Sequence, residues 1–141
     1  MNQLDLSAPI IPGVSAAGYT LGSSLNELTA LQTFELKTYL KTCREYHSEN
    51  VILFLENSTL KQICVRGNYK GTLSSNLGIG DCVKDFEKLY GPVHEGPEDE
   101  LIFQNLKGLC FEVNGNFDWK NWLVTIKDQS ITDIYVFSAI D

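Results

Sequence analysis

Two stretches of this chain follow one pattern 58 residues apart. Residues 18–28 and 76–86 both read aliphatic, glycine, small polar, then apolar two and five positions further on: Leu21-Gly22-Ser23 with Leu25 and Leu28, and Ile79-Gly80-Asp81 with Val83 and Phe86. An internal repeat constrains a fold more than any single segment does, because each copy meets the same local packing problem. At the same offset the strand-like run 51–55 falls on 109–113. A second shared strand pattern, 60–65 and 131–136, is offset by 71, so the later copy holds thirteen extra residues between its strands. Phe117, Asp118, Trp119 and Trp122 lie in that insertion, around the turn Asn114-Gly115-Asn116.

The glycine of each motif permits a sharp turn, and Ser23 and Asp81 are suitable N-caps for a following helix. Glu27 and Asp85 would favour the positive end of that helix dipole. Leu25, Leu28, Leu31 and Leu36, with Phe34, Tyr39 and Leu40, predict helix or two short helical pieces running to about Tyr46. The second helix is expected from Cys82 to about Tyr90, with Val83, Phe86, Leu89 and Tyr90 on one face, and Gly91-Pro92 ends it. Further strands are expected at 101–103, leading through Lys107-Gly108 as a hairpin into 109–113, and at 124–127, turning at 128–130 into the last strand. That last strand carries apolar residues on both faces, which predicts a central position or a covered second face.

Neither half, about 11–70 or 71–141, is large enough for comfortable independent stability. The expectation is one α+β domain over 1–141: an antiparallel sheet with helices on one face, built from two related helix-plus-strands halves. No run of about 18 apolar residues exists to span a bilayer, and the start lacks a basic region followed by an apolar core, so a cytoplasmic protein is expected. Cys43, Cys64, Cys82 and Cys110 are widely spread and form no Cys-x-x-Cys, which predicts free, mostly buried thiols rather than disulfides or a metal site.

Catalysis finds little support. His47 reads as an exposed helix-end residue and His94 as a loop residue among acids, and neither sits in a nucleophile or metal motif. The 76–81 segment lacks the third glycine and the Lys-Ser/Thr pair of phosphate loops, and Asp81 would repel phosphate. No catalytic residue, cofactor or metal is expected.

Charge is the stronger lead. Residues 1–70 carry six acids and six bases, so the net charge of −7 lies in the second half, with twelve acids against five lysines. A field of that sign repels nucleic acid and anionic lipid and attracts basic proteins. Seven of the acids lie between Asp81 and Glu100, and Gly-Pro punctuation holds Glu95, Glu98, Asp99 and Glu100 out as a loop. That loop reads either as a landing surface for a cationic partner or as a solvated connection. Trp119 reads as a partner anchor or as core cover, Trp122 as core, and Tyr69 as a third exposed aromatic.

The doubled layout resembles that of tandem-repeat beta-lactamase-inhibitor-like proteins. The Pro12-Gly13 lead-in, Tyr69-Lys70-Gly71, Leu77-Gly78-Ile79-Gly80-Asp81 and Gly108-Leu109-Cys110-Phe111-Glu112 also resemble small acidic immunity proteins of bacterial contact-dependent growth inhibition systems. That resemblance, over roughly 11–137, implies a cytosolic protein that binds a toxin domain and covers its active site, the toxin often being a nuclease with a basic face. The expected partner is therefore a cognate basic toxin domain, with no nucleic acid and no membrane. Asp85, Glu95, Glu98, Asp99, Glu100, Asp118 and Trp119 are the expected contact residues. The alternatives are a small-molecule binding domain with a pocket between sheet and helices, and a hydrolase assembled from scattered carboxylates.

Overall fold

The computed structural model describes residues 2–39, 41–113 and 126–139. A two-stranded arm, β1 (Ser15–Ala16) and β2 (Tyr19–Thr20), precedes β3 (Glu35–Tyr39), β4 (Cys43–His47), β5 (Val51–Glu56) and β6 (Thr59–Arg66). The single α-helix among the described residues, α1 (Val83–Tyr90), then leads into β7 (Val93–Glu95), β8 (Leu101–Phe103), β9 (Leu109–Val113) and β10 (Ile131–Phe137). The eight strands from β3 onward form one antiparallel sheet in the order β3-β4-β5-β6-β10-β9-β8-β7. Two four-strand meanders thus meet at β6 and β10, which puts β10 in the interior of the sheet.

The cross-strand rows sort the residues by face, because side chains directly opposite one another share a side. Val51, Val65, Ile134, Phe111 and Leu101 form one row across five strands, and all five are buried. Leu53, Ile63, Val136 and Leu109 form the next row on the same face. The second layer consists of α1 and the N-terminal arm. Phe86 of α1 stacks on Phe103 at 5.4 Å and meets the edge of Phe111 at 5.2 Å, while Ile10, Ala17 and Tyr19 fill the same core from the arm. Each fully buried large side chain of this kind contributes about 2–3 kcal/mol.

Helices on one face, as the α+β expectation had it, are corrected by this architecture to a sheet protein with one α-helix. The stretch from Leu25 to His47 forms two 3-10 turns, Leu25–Glu27 and Leu31–Thr33, and then the β3-β4 hairpin. The leucine spacing imitated a helical stripe, but Ala30 takes a left-handed φ of 61° and interrupts it. Of those residues, Leu25, Leu28, Leu31 and Phe34 pack on the core from turns and loop. The helix at 82–90 is present, with Cys82 rather than Asp81 at its N-cap. Asp81 instead accepts the Gly78 N–H at 2.8 Å, tying the preceding turn. Of the strand expected at 124–127, Val124 and Thr125 lie outside the described residues, and Ile126 opens a turn closed by the Gln129 N–H.

The offsets of 58 and 71 recur as equivalent backbone hydrogen bonds. Gly22 N–H donates to Leu60 O and Gly80 N–H to Ile131 O, both at 2.8 Å. Leu60 N–H returns to Ser23 O as Ile131 N–H does to Asp81 O, and Leu25 N–H reaches Ser58 O as Val83 N–H reaches Gln129 O. The 3-10 turn and α1 therefore hang from the starts of β6 and β10 in the same way.

Candidate functional site

The face turned away from α1 carries the polar chemistry. Ile52, Cys64, Tyr135 and Cys110 form a row across β5, β6, β10 and β9. Below it the register of β10 shifts between Ile131 and Asp133. Residues two apart on a strand normally share a face, and the bulge breaks that rule. Ile131 stays in the core opposite Val113, while Asp133 turns to the outer face opposite Glu112. Like charges directly opposite in a sheet repel, and each carboxylate is held by a different partner. Arg66 Nε lies 3.3 Å from Asp133 Oδ2, and the Tyr135 hydroxyl donates to Glu112 Oε1 at 2.5 Å.

Two hollows adjoin here and share Glu112 and Tyr135. One, of about 630 Å³, adds Glu49, Arg66, Thr132 and Asp133. The other, of about 270 Å³, adds Phe54, Gln62, Glu98, Glu100 and Cys110. Together they make a trough that, among the described residues, is lined by five carboxylates and one guanidinium, the latter already paired. The field is felt by the neighbouring groups. Burial, then Glu100, Glu112 and Glu98, push the Cys110 thiol up to about 12. Burial and the hydrogen bond to Glu112 raise Tyr135, and burial and Asp133 raise Cys64. Cys64 and Cys110 are inert protonated thiols rather than nucleophiles, and all four cysteines are free.

The loop acids reach the trough through the β7-β8 hairpin. Pro97 presets the first position of a turn closed by Asp99 N–H on Gly96 O at 3.3 Å, and Asp99 takes a left-handed φ of 65°. Gly96 N–H to Glu100 O at 2.7 Å then closes the hairpin. A Cβ on Gly96 would lie 1.8 Å from Glu100 Oε1, so the missing side chain makes room for that carboxylate. Glu100 accepts the Glu98 N–H at 3.0 Å.

Of the expected contact residues, Glu98 and Glu100 therefore converge on the trough, while Glu95 and Asp99 are exposed on the same hairpin outside its lining. Asp85 is not with them. It sits on α1, in the other layer, where Lys84 pairs with Asp128 at 3.2 Å and Lys127 with Glu87 at 3.7 Å. Asp118 and Trp119 lie outside the described residues, as does Trp122. Tyr69, expected to be exposed, is 4% accessible and structural. His47 is a half-buried strand residue bonded to Glu45 at 2.7 Å, not a helix end. Glu49, Glu112 and Asp133 were not singled out from the sequence. The strand alternation in 109–113 placed Glu112 opposite Phe111's face, but the bulge that delivers Asp133 leaves no local signature.

No protein-family model matches the sequence, and no curated protein does. Solved structures that resemble the fold include two of bacterial origin. The uncharacterised protein YfeY from Escherichia coli superposes with a TM-score of 0.62 at 14% identity, covering 93% of this chain and 99% of that one. A cysteine-rich secretory protein from Staphylococcus aureus superposes with a TM-score of 0.51 at 11% identity, covering 96% of this chain and 51% of that one. This chain thus spans about half the length of the staphylococcal protein, and both likenesses concern the fold alone. Among the described residues no helix is long and apolar enough to cross a membrane.

Proposed function

We propose that this chain is a protein-capturing domain of the immunity type, acting in the cytoplasm, whose acidic trough receives a basic segment of a cognate toxin domain. The observation that carries this reading is the convergence of Glu49, Glu98, Glu100, Glu112 and Asp133 at one face of the sheet, with Arg66 the sole cation of the lining among the described residues. Around α1, Glu87 and Asp128 are paired with lysines, whereas among the described residues Glu95, Glu98, Asp99 and Glu100 have no ion-pair partner. Glu112 and Asp133 stand on strands and Glu49, Glu98 and Glu100 on the turns beside them, and such a concentration of negative charge suits electrostatically steered association with a cationic protein.

The experiment is recovery of partners from the native host with the wild type and with a Glu98→Gln/Glu100→Gln/Glu112→Gln variant. A basic protein held by the wild type, released by salt, lost by the variant and inhibited while bound supports the reading. An acidic partner, or one retained equally by both forms, contradicts it.

A further inference from the structure

On the α1 side of the molecule, arm residues 7–12 run beside residues 70–74 and enclose a groove of about 580 Å³. That volume is within the range of small-molecule sites, roughly 300–1,000 Å³. Pro9, Ile11, Pro12, Leu73, Tyr90 and Leu106 give it apolar walls.

The groove is built before anything enters it. Tyr69 ties the arm down, its oxygen accepting the Ala17 N–H at 2.8 Å and its hydroxyl donating to Ala8 O. Ile10 N–H donates to Thr72 O at 2.9 Å. At Gly71 the two segments meet backbone to backbone, and a Cβ there would lie 1.8 Å from Ala8 O. Tyr90 is fixed by a 2.7 Å bond from its hydroxyl to Ser75 Oγ. A preformed apolar hollow binds without first ordering its own walls.

One lining residue carries charge, and it is positive. Lys70 stands at this groove in a chain of net charge −7, with no carboxylate at ion-pair distance among the described residues. Ile11, in the same lining, holds an apolar side chain 44% exposed. We propose that the groove is a binding site for a small amphiphilic organic anion, its aliphatic or aromatic body on Pro9, Ile11, Leu73 and Leu106 and its carboxylate at Lys70. The site is independent of the trough, which lies on the other face of the sheet.

The test is a backbone amide NMR titration of the full chain with octanoate and, in parallel, 1-octanol. Shifts should cluster in 7–12 and 70–74 for both. Lys70→Gln should weaken octanoate about fivefold and leave octanol unchanged, while Ile11→Ser, at an exposed wall position, should weaken both. The amide spectrum of each variant reports its fold directly. Shifts that are absent at millimolar ligand or lie elsewhere would overturn the proposal. So would a Lys70→Gln effect equal for the acid and the alcohol.

Discussion

Asp133 and Glu112 face each other across the seam between β9 and β10, on a face to which the bulge after Ile131 turns Asp133. Their repulsion is offset by separate partners, Arg66 for Asp133 and Tyr135 for Glu112. Asp133 is 8% exposed, so its carboxylate depends on that guanidinium. Removing one partner of a buried polar pair costs more than the pair itself contributes. Arg66→Ala should therefore destabilise the protein by about 1–3 kcal/mol, and adding Asp133→Asn should restore part of the loss. Urea unfolding of the two variants checks this, and equal stabilities would contradict it.

Tyr135→Phe should have a smaller effect on stability, about 1 kcal/mol, because Glu112 remains exposed to water. Its carboxylate is freed rather than buried alone. The variant should retain or strengthen affinity for cations, measured by peptide titration.

Alkaline pH should weaken the fold in a defined window. Tyr69 is raised from 10.0 to about 12, mainly by burial, and Cys110 from 9.0 to about 12. Both groups are neutral when protonated, and a raised folded pKa means that the folded state holds the proton more tightly. Their contribution is whole below the unfolded values and disappears as pH rises from about 9 through about 12. Tyr69→Phe removes one of these alkaline titrations and also strands Ala17 N–H and Ala8 O, costing about 1–3 kcal/mol. Its stability curve, lower at neutral pH, should fall less steeply above pH 10. A parallel curve would contradict the assignment.

The same shift predicts slow chemistry at Cys110. At pH 8 its alkylation should be at least about a hundredfold slower than that of a free thiol. Glu98→Gln/Glu100→Gln should speed it in part, since burial first and then those carboxylates hold the thiol protonated. Mass-spectrometric labelling of the single site distinguishes the two outcomes.

Gly96→Ala tests the hairpin. The nearest obstruction to the added carbon is the mobile end of Glu100, not backbone. The fold should survive, with a loss under about 1 kcal/mol, while Glu100 moves out of the trough and peptide affinity falls. Calorimetry with a cationic peptide reads the second effect.

How far the sequence was legible follows from the range of the forces involved. The helix at 83–90 was readable because its apolar stripe, Val83 and Phe86, and its Gly91-Pro92 stop are local signals. Strands β5, β6, β9 and β10 announced themselves by β-branched and apolar runs. The β3-β4 hairpin was missed because Leu36 continues the leucine spacing of 25–31, and on the strand that side chain is 49% exposed, so burial gives no counter-signal. Three of the five trough carboxylates were missed for a related reason. Glu98 and Glu100 stand out in an acidic run, but Glu49, Glu112 and Asp133 are isolated acids united only by strand pairing. Register is a tertiary property, and one bulge reverses a side chain's face.

The most direct measurement is an amide NMR titration with a short lysine- and arginine-rich peptide at low and high salt. Shifts centred on Glu98, Glu100, Cys110, Glu112 and Tyr135, fading as salt screens the charges and absent from the Glu98→Gln/Glu100→Gln/Glu112→Gln variant, are the predicted result. Shifts gathered instead around Asp85 and α1, or unaffected by the three substitutions, would contradict capture of a basic protein by this face of the sheet.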